Sequence, residues 1–188
     1  MIKALIYDVD GVVFRSLDEE GKYLWGKNAA CDLGLRSHHF KQIYSPAWND
    51  VARGKVSTIS HLAEVFKGED FAALRLSPQA YIDYWLSHDA FINERLLADI
   101  ACSSVPCYLG TNQERHRTRH IKQLVGHAFV GIFASYELGF IKPESGFYAA
   151  IEQNLGLEPQ ELMLIDDTPA NIEAAQKRGW QGVLYKIN

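Results

Sequence analysis

Apolar residues along this chain fall into two spacings. Short unbroken β-prone runs occur at 2–7 (IKALIY), 104–109 (SVPCYL), 128–135 (AFVGIFAS), 161–166 (ELMLID) and 182–187 (GVLYKI). Runs of this length without polar alternation predict central strands covered on both faces. Between the later runs the apolar spacing turns helical, over 112–126, 143–156 and 168–179. Each of these segments stops at a glycine (Gly126, Gly156, Gly179). Pro143 and Pro169 stand at helix starts, and Thr168 is placed to cap the last helix. Strands alternating with helices predict an α/β fold of three layers, with a parallel, Rossmann-like sheet in the order 5-4-1-2-3.

The first unit breaks this rhythm. The runs at 2–7 and 104–109 are separated by far more than a helix and two loops of about 2–6 residues. The intervening segment has helical periodicity at 18–34, 56–66 and 77–88, and almost no strand signal. Ser57 and the Ser77-Pro78 pair read as helix starts. The pattern predicts a small helical insertion over 16–90, with 1–15 and 91–188 forming the α/β core. A helix over 91–101 returns the chain to the sheet, and hinges are expected near 15–16 and 87–93.

Composition narrows the function classes. The 188 residues are 47% hydrophobic and 22% charged, with a formal net charge of −4 and a pI near 6.0. That is ordinary globular material with enough apolar residues for a sizeable core. The acidic balance argues against a nucleic-acid partner. No apolar run approaches the ~18 residues of a membrane span. The N-terminus lacks the layout of a secretory signal. Cys31, Cys102 and Cys107 have no CxxC spacing, so they read as free buried thiols in a cytoplasmic protein.

The chemistry stands at the strand ends. In a parallel sheet, ligands bind outside the carboxyl ends of the strands. The first strand run is followed by Asp8 and Asp10, the second by Gly110-Thr111-Asn112, and the fourth by Asp166-Asp167. Lys142 precedes the helix after the third run. Converging carboxylates repel unless a cation sits among them or some are protonated. Hard oxygen ligands suit Mg²⁺. A Thr hydroxyl, a backbone N–H and a lysine suit the oxyanion of a phosphate.

These four segments, "DVDGVV", "LGTN", "IKPESGFY" and "LIDDTPANIEAA", come in an order that resembles the haloacid dehalogenase-like (HAD) hydrolase superfamily. The resemblance extends over the whole chain. The insertion falls where that family's C1 cap enters, and "VARGKVSTISHLAEV" is similar to a segment of C1-capped members. The resemblance implies a role for each residue. Asp8 would be the nucleophile that forms an aspartyl-phosphate, and Asp10 the general acid/base. Thr111 and the amide of Asn112 would hold phosphate oxygens, and Lys142 would pair with nucleophile and phosphate. Mg²⁺ would be bound by Asp8, Asp166 and the carbonyl of Asp10, with Asp167 acting through a water. The family's dehalogenases have no Asp at the place of Asp10, so the motif implies phosphate chemistry. The implied activity is hydrolysis of a small phosphate monoester, first a sugar phosphate and second a nucleoside monophosphate. A phosphomutase and a non-catalytic binding protein are the rival readings. The partners implied are a small phosphorylated metabolite and at most a second copy of the chain.

Other residues carry weaker signals. His116 and His120 have the i, i+4 spacing of a metal pair, but "ERHRTRH" reads as a solvated charged face. His38-His39 reads as a surface loop. The aromatic residues of the insertion read as packing between helices, with Trp48, Arg53 and Arg15 as candidates to touch substrate.

Overall fold

Five parallel strands form one sheet: β1 (Ala4–Tyr7), β2 (Cys107–Thr111), β3 (Gly131–Ala134), β4 (Leu162–Asp166) and β5 (Gln181–Leu184). The spatial order is β3-β2-β1-β4-β5, the expected order read from the other edge. The computed structural model describes residues 1–186 other than 17, 19, 21 and 90. The predicted fifth strand therefore runs partly outside the described residues, at position 187.

Eleven helices are described. Before β2 come α1 (Ala29–Asp32), α2 (Ser37–Ile43), α3 (Trp48–Ala52), α4 (Thr58–Val65), α5 (Glu69–Ala72), α6 (Pro78–His88) and α7 (Glu94–Ala101). After β2 come α8 (Arg115–Val125), α9 (Ser135–Leu138), α10 (Ser145–Leu155) and α11 (Pro169–Lys177). Successive strand side chains point to opposite faces. Ala4 and Ile6 of β1 therefore join Leu162 and Leu164 of β4 on one face, under α10 and α11. Leu5 and Tyr7 join Leu109 and Ile165 on the other, under α7 and α8. The strands are apolar on both sides because both sides are covered.

A third apolar cluster gathers Trp25, Leu35, Ile43, Leu62, Phe71, Tyr81 and Trp85 from the helical segment. The chain enters this segment beside the place where it leaves. Phe14 pairs with Ile92, Arg15 N donates to the Phe91 carbonyl and Asn93 N to that of Val13. Ser57 and Ser77 cap α4 and α6 as expected, each accepting from the backbone three residues on.

Several sequence expectations shift. Among the described residues of the predicted helix at 18–34 stand a 3-10 turn at Leu24–Gly26 and the single turn α1; positions 19 and 21 lie outside the described residues. Trp25 turns into the aromatic cluster there, and Gly34 leaves α1 at φ 72°. β2 begins at 107 rather than 104, because Ser103 Oγ turns the chain by accepting from Val105 N and donating to its carbonyl. β3 is shorter than predicted, since a 3-10 turn takes Gly126–Ala128. His38 and His39 lie on α2, not in a surface loop. His39 is buried, its Nδ1 accepting from Arg36 N and its Nε2 meeting the Asp70 carbonyl. Cys31 and Cys102 are exposed, and only Cys107 is a buried thiol. No helix among the described residues is long and apolar enough to cross a membrane.

Candidate active site

Strand register creates the site. Tyr7 stands level with Leu109 on one side and Ile165 on the other. One residue further along each strand come Asp8, Gly110 and Asp166. Gly110 is small because any Cβ there would collide with the Ile6 side chain. Just past Asp8 and Asp10 the chain turns sharply, with Gly11 N donating to the Phe14 carbonyl. Gly11 has φ 76°, and a Cβ on it would collide with the Asp167 carboxylate. Both facts call for glycine.

Asp8 and Asp166 are tied together by one ammonium. Lys142 Nζ lies 2.8 Å from Asp8 Oδ1 and 2.6 Å from Asp166 Oδ2. All three residues are buried. Val9 N donates to Asp8 Oδ1 at 2.7 Å. Asp166 also accepts from Thr168 N at 2.9 Å and from Asn171 Nδ2 at 3.0 and 3.1 Å. Burial pushes the Asp8 carboxyl up to about 7, Lys142 pulling it down and Asp166 pushing it up. Burial lowers Lys142, but Asp8 and Asp166 outweigh it and raise the ammonium. Burial also raises Asp167.

Carboxylate oxygens of Asp8, Asp166 and Asp167 lie within 4.8 Å of one another. Three carboxylates against the single Lys142 ammonium leave a deficit of two positive charges. A hard divalent cation fits this donor set in charge and ligand type. The Asp10 carboxylate is not a member of the group.

The rest of the predicted set is close by. Thr111, the last residue of β2, is buried. Asn112 clamps the Lys142 backbone, accepting from its N–H at 2.7 Å and donating to its carbonyl at 3.0 Å. Sequence spacing gave no sign of this second task, which fixes where the lysine stem begins.

Asp10 turns towards α8. Its Oδ2 accepts from Arg117 Nη1 at 2.6 Å and from Gln113 Nε2 at 2.5 Å. Its Oδ1 accepts from Arg117 Nη2 at 2.7 Å and from Ser16 Oγ. Burial pushes Asp10 up, but Arg117, helped by Ser16 and Gln113, holds it below its ordinary value. Arg117 also binds Asp89 through Nε at 2.6 Å. The solvated-face reading of "ERHRTRH" is therefore wrong for Arg117, which is 4% exposed. The residue belongs to the inward face of α8 with Ile121 and Val125. That i, i+4, i+8 spacing was the available signal. Among the described residues His116 and His120 belong to no group of three metal-type ligands; His120 Nε2 meets the Asp89 carbonyl at 2.9 Å.

Two cavities meet at Asp10. One, of about 520 Å³, is lined by Asp8, Gly11, Arg15, Asp167 and Lys186 among others. The second, of about 180 Å³, is lined by Trp25, Tyr44, Trp48, Trp85, Asn112, Gln113 and Arg117. Arg15 thus lines the first cavity and Trp48 the second. Trp48 also packs, its ring 4.9 Å from Tyr44 and 6.3 Å from Trp85. Arg53 instead bonds Glu144 across the junction between α3 and the loop before α10, and it lines neither cavity.

The haloacid dehalogenase-like hydrolase family matches residues 2–179. The chain belongs to that family, and it is a hydrolase by that membership. This HAD-like hydrolase also shares its fold with solved structures. A HAD family enzyme of Bacteroides thetaiotaomicron, in complex with magnesium and inorganic phosphate, is 20% identical with a TM-score of 0.77. That match covers 100% of this chain and 95% of the other. A 2-haloacid dehalogenase of Pseudomonas syringae is 14% identical, TM-score 0.65, covering 98% and 86%. An L-2-haloacid dehalogenase of Xanthobacter autotrophicus, with chloropropionic acid covalently bound, is 17% identical, TM-score 0.60, covering 97% and 76%. The fold alone does not decide the reaction, and the choice rests on this hydrolase's own residues.

Proposed function

We propose that this HAD-like hydrolase is a Mg²⁺-dependent phosphatase of small phosphate monoesters, acting through an aspartyl-phosphate on Asp8. The observation that carries the reading is the pair of acids on the first loop. Asp8 is buried against Lys142, and Asp10, two residues on, borders both cavities. Displacing an alkoxide needs a proton donor, which a halide does not. The presence of Asp10 therefore favours phosphate over haloacid.

Lys142 holds Asp8 for attack in line on phosphorus. Thr111 and the Asn112 amide would receive phosphoryl oxygens beside Lys142. Asp8, Asp166 and the Asp10 carbonyl would hold the cation, with Asp167 acting through a water. The cation would neutralise charge on the transferring group. Asp10 would protonate the leaving oxygen and then draw a proton from the water that cleaves the intermediate.

The magnesium and phosphate complex of the Bacteroides thetaiotaomicron enzyme supports this choice of cofactor and ligand by analogy. The isolated bridge between Phe14 and Ile92, where the helical segment begins and ends, and its separate apolar cluster support a division into core (1–15 and 91–188) and C1-type cap (16–90). A cytoplasmic location fits the free thiols.

The smaller cavity bears on the substrate. Its ~180 Å³ compares with the ~150 Å³ of a cavity that accepts benzene, so it takes one ring. Its walls are largely aromatic, and it adjoins the larger cavity at Asp10, so a single sugar ring would fit it with the phosphate towards Asp8. The deciding experiment is acid quench with [³²P]-labelled sugar phosphates. Wild type should yield acid-stable, hydroxylamine-labile label, and Asp8→Asn none. Label of equal intensity in Asp8→Asn would reject Asp8 as nucleophile.

A further inference from the structure

Arg117 is a buried guanidinium between two carboxylates from different parts of the chain. Asp10 comes from the first loop of the core. Asp89 directly follows α6, where the helical segment returns to the core, and is 2% exposed. Arg117 spans Asp10 with Nη1 and Nη2 at 2.6 and 2.7 Å. It spans Asp89 with Nε at 2.6 Å and Nη2 at 3.3 Å.

An ionised carboxylate has about four acceptor positions. Here all four on Asp10 are used: Arg117 and Ser16 on Oδ1, Arg117 and Gln113 on Oδ2. No lone pair remains to carry a proton to a leaving oxygen or to take one from water. For Asp10 to act, at least one of these bonds must break. A buried arginine deprived of its carboxylate is strongly unfavourable. Asp89 removes that obstacle, since the guanidinium stays paired after Asp10 turns away.

We propose that Arg117 and Asp89 are positioning residues for Asp10: Arg117 anchors the carboxylate in a resting orientation, and Asp89 holds Arg117 when Asp10 swings to the reacting group. The proposal rests on the reading of Asp10 as the acid/base. Because Ser16 and Asp89 stand at the two ends of the helical segment, movement of that segment loosens or tightens the anchor.

The test is rapid-quench kinetics with p-nitrophenyl phosphate and Mg²⁺. Nitrophenolate leaves unaided, so phosphorylation of Asp8 bypasses Asp10, whereas cleavage of the phosphoenzyme requires it. Asp89→Asn weakens the competitor and traps Asp10 on Arg117. It should give a stoichiometric burst and then steady turnover slowed roughly 10²-fold, the low end of an acid/base contribution. Adding Arg117→Met to Asp89→Asn removes anchor and competitor together and should restore at least about tenfold of that loss. Steady turnover in Asp89→Asn within threefold of wild type, or a double variant no faster than the single one, overturns the proposal. A merely structural role would slow burst and steady state alike.

Asp10→Asn separates the two readings. If it cleaves its phosphoenzyme at the wild-type rate, Asp10 is not the acid/base and the positioning role falls with it. If it stalls while Asp89→Asn behaves as wild type, only the positioning role falls. Should Asp89→Asn fail to fold, a crystal structure of the unaltered protein with Mg²⁺ and orthovanadate decides. Asp10 should have left Arg117, with Arg117 still on Asp89. Retention of both Asp10–Arg117 bonds in that complex refutes the swing.

Discussion

If Asp8 is a metal ligand, protons and Mg²⁺ compete for it, and the competition is measurable without any substrate. Asp8 stands near 7 against an ordinary 3.8, chiefly through burial. A carboxyl raised in the folded state binds its proton more tightly there than in the unfolded chain. In metal-free protein its contribution to stability is therefore present at low pH and lost as pH rises through about 7. Mg²⁺ needs the ionised form and works in the opposite sense. At pH 8, with Mg²⁺ at 100 times its dissociation constant, binding stabilises the fold by about 2.7 kcal/mol. For a chain of this size that is roughly 5–11 °C in Tm. At pH 5, about two units below the Asp8 value, one-proton competition weakens binding about 100-fold. The same Mg²⁺ then contributes only about 0.4 kcal/mol, roughly 1–2 °C. Asp167, also raised by burial, can only steepen the trend. The assay is differential scanning fluorimetry with Mg²⁺ and with EDTA from pH 5 to 8. In Asp8→Asn the pH-dependent part of the Mg²⁺ shift should shrink to the share that Asp167 contributes. An equal Mg²⁺ shift at pH 5 and pH 8 in the unaltered protein would refute the competition.

Asp10→Asn should cost roughly 10²–10⁴-fold on an alkyl phosphate but less on p-nitrophenyl phosphate, as steady-state kcat/KM would report; equal losses on both would count against the acid/base role. Trp48→Ala opens the wall of the smaller cavity and should raise KM for the best sugar phosphate more than it lowers kcat, while an unchanged substrate profile would place that ring outside the site. Gly11→Ala forces an L side chain to φ 76° and against Asp167; it should lose about 1–3 kcal/mol in denaturant melts and weaken Mg²⁺ binding by titration calorimetry. Lys142→Met leaves Asp8 and Asp166 without their shared ammonium and should cost about 3–5 kcal/mol in the EDTA-treated protein, less with Mg²⁺ bound.

Much of this molecule was legible because its information is local. The strand runs needed only the absence of polar alternation, since both sheet faces are covered. The helix α11 needed only proline at its start and glycine beyond its end, whereas α10 begins at Ser145, two residues after Pro143, and ends before Gly156. The candidate site residues were legible because a parallel sheet brings its carboxyl ends together, so Asp8, Thr111 and Asp166 could be named from their place at the ends of apolar runs. The segment 18–34 was not legible as a 3-10 turn and a single helical turn, because the pull on Trp25 comes from Phe40, Tyr81 and Trp85, distant in sequence. Arg53 looked like a substrate ligand until the fold brought Glu144 to it. Arg117 looked like one charge among several on a basic helix. Only the tertiary structure set it under Asp10 and beside Asp89, because helical phase places a residue on an inward face but does not say which carboxylates meet it there. Sequence thus determined which polar groups stand at the carboxyl ends of the strands, through patterns set by hydrogen bonding and burial along one element. Tertiary structure decided how those groups are held, because the partners of a buried charge come from whichever chain segments packing delivers to it.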